Sequence, residues 1–221
     1  MCLSKFMKRC IFFGDSITDA NHLFSKNPLG EGYLLYLFEL FTSSHIPVHL
    51  YNQGHAGHTL QKLFSVFYSC QSHGVLKKYS PDLISVQIGI NDVAIYQDTG
   101  LSDSQKAQYL EEYEKNLSCF LSEIRQSFSG SVFLLEPFLF PYPAELYTWM
   151  SARQKFSDVM NRSADKFSCL FVPLQDLLVS SCPPESFSCL TIDGFHLTNA
   201  GNRLLASFLW NCFKEIGFFL P

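Results

Sequence analysis

The chain has 221 residues, of which 47% are apolar and 16% charged, with a formal net charge of −4. That length suits one α/β domain, taken here as residues 1–221, and the composition excludes a disordered chain. Basic residues are scattered, with doublets only at Lys8-Arg9 and Lys77-Lys78, so no electrostatic footprint for nucleic acid is present.

No run reaches the 18 apolar residues of a membrane span. Met1–Arg9 is too short and too charged for a secretory signal, so a reducing, cytoplasmic setting is the expectation. The 8 cysteines form no C-x-x-C pair, which removes the common zinc and thioredoxin-like patterns. Most therefore read as small buried hydrophobes. Cys182 and Cys189 are near enough in sequence to bridge a short loop, although a reducing compartment disfavours it. The 22 phenylalanines hint at more rings than one core holds, hence at an apolar interface or substrate groove.

The first element is the run Ile11-Phe12-Phe13, a buried parallel strand that ends abruptly in Gly14-Asp15-Ser16. Gly14 permits the tight turn because it has no Cβ to clash. Ser16 then stands at the carboxyl end of the strand, where open α/β sheets bind ligands. Alone, it reads equally as a turn or cap hydroxyl.

A helix over Tyr33–Phe41 is apolar nearly all round, with Glu39 its one charge, which suggests burial partly at a subunit interface. Pro47–Tyr51 reads as the second strand, leading into Asn52-Gln53-Gly54-His55-Ala56-Gly57-His58. Leu60–Tyr79 reads as a helix interrupted near Gly74. Asp82–Ile88 is the third strand and ends in Gly89-Ile90-Asn91-Asp92. Ser102 and Gln105 have capping-box spacing. The helix they open runs to about Phe128, with Glu111 and Lys115 spaced as an i,i+4 pair.

Ser131–Glu136 is the fourth strand, followed by a turn rich in proline at 137, 141 and 143. A helix then runs to about Phe167. Cys169–Val172 is the fifth strand, Leu174–Val179 a short helix, and Ser180–Ile192 an irregular loop. Asp193-Gly194-Phe195-His196 precedes a last helix capped by Thr198 and ended by Gly217. Strands alternating with helices predict a parallel sheet covered on both faces, with right-handed crossovers. Strand order does not follow from pattern.

The chemistry-bearing residues all fall just after predicted strands or just before the last helix. Ser16 is a candidate nucleophile and His196 a candidate base. Asp193, about one helical turn before His196, can hold the imidazole tautomer. The backbone N–H groups of Ser16 and Gly57 and the Asn91 amide are candidate oxyanion donors. Asp15 and Asp92 read as structural groups that bond nearby backbone N–H groups. His55 and His58, with His45 and His49 nearby, raise a metal reading. They flank Gly57 in a loop rather than sharing a helix face, so solvated or pocket-lining histidines are preferred.

Gly14-Asp15-Ser16-Ile17, Gly57, Gly89-Ile90-Asn91-Asp92 and Asp193-x-x-His196 resemble the four sequence blocks of the SGNH (GDSL-type) hydrolase superfamily, in the family's order. The resemblance implies a three-layer α/β/α, flavodoxin-like fold with a five-stranded parallel sheet. It implies ester hydrolysis with Ser16 as nucleophile, His196 as base and Asp193 as its orienter. Ser16, Gly57 and Asn91 would form the oxyanion hole, and no metal or cofactor is implied.

Phe13-Gly14-Asp15-Ser16-Ile17-Thr18-Asp19, Gly30-x-Gly32-Tyr33, Gly89-Ile90-Asn91-Asp92-Val93 and Leu135-Glu136-Pro137-Phe138 are similar to the branch that contains bacterial xylan acetylesterases, which remove acetyl groups from sugars. The chain departs from that branch at Ala20-Asn21-His22, where Gly-Arg is usual. It departs again at Ile192 and Leu197, where Trp and Pro are usual. The expected substrate is a small-molecule or carbohydrate ester. The rivals are a lipid-directed esterase, such as a lysophospholipase or thioesterase, and a non-catalytic sugar- or lipid-binding module on the same fold.

Overall fold

A computed structural model describes residues 7–72, 74–98 and 100–218. Cys2 and the segment 1–6 of the signal-peptide reading lie outside the described residues. The sheet has five parallel strands in the order β2-β1-β3-β4-β5. They are β1 (Lys8–Gly14), β2 (Val48–Gly54), β3 (Leu83–Gln87), β4 (Ser131–Leu135) and β5 (Leu170–Val172). The strands are added to one side after β1 and to the other from β3 on, so the topological switch point lies between β1 and β3, and ligands bind outside the carboxyl ends there.

The described helices are α1 (Ser16–Asp19), α2 (Tyr33–Ser43), α3 (Leu60–Ser72), α4 (Val75–Tyr79), α5 (Ile90–Tyr96), α6 (Asp103–Ser127), α7 (Met150–Lys166), α8 (Leu174–Val179) and α9 (Asn199–Glu215). Helix α9 packs against both α2 and α8, and α3, α5, α6 and α7 pack as a second group. The result is three layers. Strand β1 shows how its period of two feeds both faces. The Phe12 ring meets Tyr33 of α2 at 6.2 Å, and the next ring, Phe13, meets Phe67 of α3 at 5.6 Å. Each fully buried ring of this kind contributes roughly 1.5–3 kcal/mol.

Those contacts account for the phenylalanine count. Among the described phenylalanines only Phe24 and Phe38 are exposed. No apolar groove is needed to house the rest. The same holds for α2. Its Tyr33, Leu34, Leu37 and Phe41 are buried within the chain, and Phe41 meets Trp210 and Phe213 of α9 at 5.0 and 5.6 Å. The apolar surface that suggested a subunit interface is largely covered by α9.

Several local readings hold. Ser102 and Gln105 form a full capping box, Thr198 caps α9 through the Gly201 N–H, and Gly217 follows α9 with φ +66°. Others change. Ile90–Tyr96, which the sequence pattern leaves unassigned, is a helix, and Pro184–Cys189, inside the loop read over 180–192, is a 3₁₀ turn. Glu111 and Lys115 form no ion pair among the described residues, whereas Gln108 donates to Glu112 at 2.9 Å. Exposed pairs gain too little in water to fix their side chains. Cys182 and Cys189 are free thiols. No described helix is long and apolar enough to cross a membrane.

Candidate active site

Strand β1 delivers Ser16 through a turn that only glycine allows. A Cβ on Gly14 would lie 2.2 Å from Thr18 Oγ1 and 2.7 Å from the Gln87 carbonyl of β3. Asp15 caps the short helix α1 by accepting the Ile17 N–H at 3.0 Å, so Ser16 is the first helical residue. The Ser16 hydroxyl is thus held on a short, fixed arm at the edge of the sheet.

The partners of Ser16 arrive on the loop before α9. Thr191 Oγ1 donates to the His196 carbonyl and accepts the Gly194 N–H, each within 2.9 Å. Phe140 N–H, just beyond β4, donates to the Gly194 carbonyl at 2.7 Å. Gly194 has φ +103°, and a Cβ there would lie 2.3 Å from Leu146 Cδ1 and 2.6 Å from the Tyr142 carbonyl. The loop is therefore closed on itself by Thr191 and tied to the segment after β4 by Phe140.

Within that loop, Asp193 Oδ1 accepts the backbone N–H groups of Phe195 and His196, and Asp193 Oδ2 accepts from His196 Nδ1 at 2.6 Å. His196 Nε2 lies 2.8 Å from Ser16 Oγ. Partial burial raises the Asp193 pKa, but the hydrogen bonds from the His196 ring and the two backbone N–H groups outweigh it, so the carboxyl sits below its ordinary range. An ionised Asp193 can only accept, which puts the proton on His196 Nδ1. Nε2 is then left to accept from Ser16. The chain of contacts can withdraw a proton from the hydroxyl and hand it on.

The other two predicted residues stand at the same sheet edge. Gly57 follows β2 with φ +72° and open space where a Cβ would be. Asn91 opens α5, and its Nδ2 donates to the His58 carbonyl at 2.9 Å. That bond holds the amide in place and leaves its second N–H uncommitted. Neither the Ser16 nor the Gly57 backbone N–H has a hydrogen-bond partner among the described residues. Ser16, Asn21, Glu31, Ile192 and His196 line a hollow of about 390 Å³. Gly57, Leu60, Asn91, Ile95 and Tyr109 line a second one of about 470 Å³.

Asp15 and Asp92 take no part in the proton chain. Asp92 accepts from the Leu60 N–H and from the Tyr109 hydroxyl, each at 3.1 Å. Burial pushes both carboxyls up to about 7, against the N–H bonds that favour their charged forms. Their ordinary value is 3.8, so between 3.8 and about 7 the folded chain binds more protons than the unfolded one. Their contribution to stability is full below that window and is lost as pH rises through it. In Asp92→Asn the amide oxygen can accept from Leu60 and the amine can donate to Tyr109. This variant should lose less melting temperature between pH 5 and pH 8 than the wild type, and equal losses would contradict the burial account.

The metal reading finds no geometry. No three His, Cys, Asp or Glu side chains converge among the described residues. His55 stacks on His58 at 4.8 Å, and His22 meets His55 edge-on at 6.3 Å. Burial, and then the neighbouring rings, push the pKa values of His55 and His58 down. Two supporting residues escaped the sequence reading. Asn52 Nδ2 donates to the carbonyls of Thr18 and Leu29 at 2.8 and 3.0 Å, and Thr191 builds the His196 loop.

The model of the GDSL-like lipase/acylhydrolase family matches residues 12–204. The acetylxylan esterase of Geobacillus stearothermophilus is 28% identical over 219 residues, covering 96% of this chain and 94% of that protein. A crystal structure of the acetylxylan esterase from that organism aligns with a TM-score of 0.73 and 26% identity over 95% of this chain and 94% of its own. An α/β hydrolase enzyme from the metagenome of Lake Arreo, Spain, aligns with a TM-score of 0.76 and 26% identity over 97% of each chain. With the hydrogen-bonded Ser16, His196 and Asp193 at the switch point of a flavodoxin-like sheet, these likenesses converge. The chain belongs to the GDSL-like lipase/acylhydrolase family and is a carboxylic ester hydrolase.

Proposed function

We propose that the chain is one hydrolase domain that cleaves O-acetyl esters of carbohydrates through an acyl-enzyme. The unbroken hydrogen-bond chain from Ser16 through His196 to Asp193, open to a hollow, carries this reading. His196 takes the Ser16 proton as Oγ attacks the ester carbonyl, and Asp193 steadies the imidazolium that forms. The N–H groups of Ser16 and Gly57 and the free N–H of Asn91 receive the developing oxyanion. His196 then returns the proton to the leaving alcohol. Water, activated by the same imidazole, releases the acid and restores the serine.

Three features support a sugar acetate. The similarity to acetylxylan esterases spans nearly the whole of both chains. The hollow beside Ser16 carries Asn21, Glu31 and Asn199, which can bond the hydroxyls of an alcohol. The phenylalanines, once an argument for a lipid substrate, are mostly buried. The test is a rate series over p-nitrophenyl acetate, butyrate and octanoate, with acetate release from acetylated xylo-oligosaccharides alongside. Rates should fall steeply beyond about four carbons through steric exclusion. Rates that hold or rise to the octanoate would favour the lipid-directed rival, and no turnover of any ester would favour the binding module.

A further inference from the structure

We propose that Asp19 is a positioning residue that sets the Gly57 N–H against the nucleophile, an inference that rests on the oxyanion role proposed for Gly57. Asp19 is the last residue of α1, the four-residue helix that Ser16 opens. Its side chain is buried, with the residue 5% exposed, yet it carries a carboxylate. Such a group persists only where its oxygens are bonded. Oδ2 accepts the Ala56 N–H at 3.1 Å, and Oδ1 faces His22 Nδ1 at 2.7 Å. Ala56 directly precedes Gly57. One side chain therefore joins the helix of the nucleophile to the loop of the candidate oxyanion donor.

The loop needs that tie. Ala56 and Gly57 are exposed, and Gly57 has no neighbour where a side chain would be. On the far side of Gly57, Asn91 holds the His58 carbonyl. On the near side, Asp19 holds the Ala56 N–H. Gly57 is thus suspended between two side chains, one rooted in α1 and the other in α5. The His22 ring completes the near side, because it orients the carboxylate and meets His55 of the same loop. Below, the backbones already touch: a Cβ on Gly54 would lie 2.2 Å from Asp19 N, and Asn52 binds the Thr18 carbonyl. That contact fixes the root of the loop, the His58 N–H closes a turn over residues 56 and 57 on the His55 carbonyl at 3.2 Å, and Asp19 is the side chain that anchors this turn by its Ala56 N–H. In Asp19→Ala the Ala56 N–H loses its acceptor and the loop relaxes. A donor displaced by about 1 Å costs on the order of 10²-fold in rate.

The experiment compares wild type, Asp19→Ala, Asp19→Asn and Ser16→Ala on p-nitrophenyl acetate, with melting temperatures and the inhibition constant of a boronic acid. The boronic acid forms a tetrahedral adduct whose oxygen occupies the oxyanion position. Asp19→Ala should lose about 10- to 100-fold in kcat with KM changed less than about 3-fold, and boronate affinity should weaken in parallel. Asp19→Asn can still accept from Ala56 and can donate to His22, so it should recover most of the rate. Wild-type kcat in Asp19→Ala, with Ser16→Ala inactive, overturns the inference and leaves the proposed function standing. Equal losses in both Asp19 variants that track only their melting temperatures also overturn it, because the role would then be structural. Full activity in Ser16→Ala removes the functional reading and this inference with it.

Discussion

Ser16→Ala should lower kcat/KM for p-nitrophenyl acetate by at least about 10³-fold, with the fold intact. The hydroxyl makes one side-chain hydrogen bond, to His196 at 2.8 Å, and faces an open hollow. Its removal leaves no buried cavity and no buried unpaired group, so the melting temperature should move little. The loss follows from the chemistry, because without Oγ there is no acyl-enzyme and water must attack the ester directly. His196→Ala should lose a similar amount, and the two losses should not add, since nucleophile and base act in one step. The residual rate would report what the oxyanion donors and binding achieve alone. Kinetics on freshly folded protein, with a melting curve for each variant, checks this.

Asp193→Asn should lose about 10³- to 10⁴-fold in kcat while KM holds, the scale seen where an orienting carboxylate of this type becomes an amide. Asp193 uses both oxygens. Oδ1 accepts two backbone N–H groups, and Oδ2 accepts from the imidazole at 2.6 Å. The backbone bonds force the amide oxygen of an asparagine into the Oδ1 position, so the amine must face His196 Nδ1. An amine donates, which drives the ring to the tautomer with its proton on Nε2. That nitrogen then points an N–H at Ser16 and cannot accept the hydroxyl proton. Because side-chain exposure is 42% for Asp193 and 39% for His196, the cost should fall on rate far more than on stability. An Asp193→Asn enzyme with near-wild-type kcat would mean the carboxylate only shapes the loop.

The alternation of apolar runs and helical segments was enough to place five parallel strands and the turn that presents Ser16. Period and turn chemistry are local, and so they are written in the sequence. The strand order was not, since pairing depends on contacts between segments far apart in the chain. Helix α5 was hidden because Asn91, near its start, is of a residue type that favours turns. Its first turn is held from outside the segment, where buried Asp92 accepts from the Leu60 N–H and the Tyr109 hydroxyl. The apolar circumference of α2 was visible, but the partner that covers much of it lies about 170 residues later, in α9, too far along the chain for local pattern to name.

The site shows the same division. Ser16, Asp193 and His196 were legible because each lies in a short block whose turn residues are distinctive, and the structure joins them into one hydrogen-bond chain. Gly57 and Asn91 come to the same edge but line a separate hollow. Asn52, Asp19 and Thr191 act through the backbone of segments 30 or more residues away or through a loop closure, and nothing in their immediate sequence announces that.

The central claim is that Ser16 is the nucleophile. Its most direct test is covalent: the protein is treated with a p-nitrophenyl alkylphosphonate, and the adduct is located by intact mass and peptide mapping. One phosphonyl group should appear on the peptide that contains Ser16, in step with loss of esterase activity. Labelling should be absent in Ser16→Ala and strongly slowed in His196→Ala. A stoichiometric label on any other residue, or full labelling of Ser16→Ala with the same loss of activity, would contradict the account.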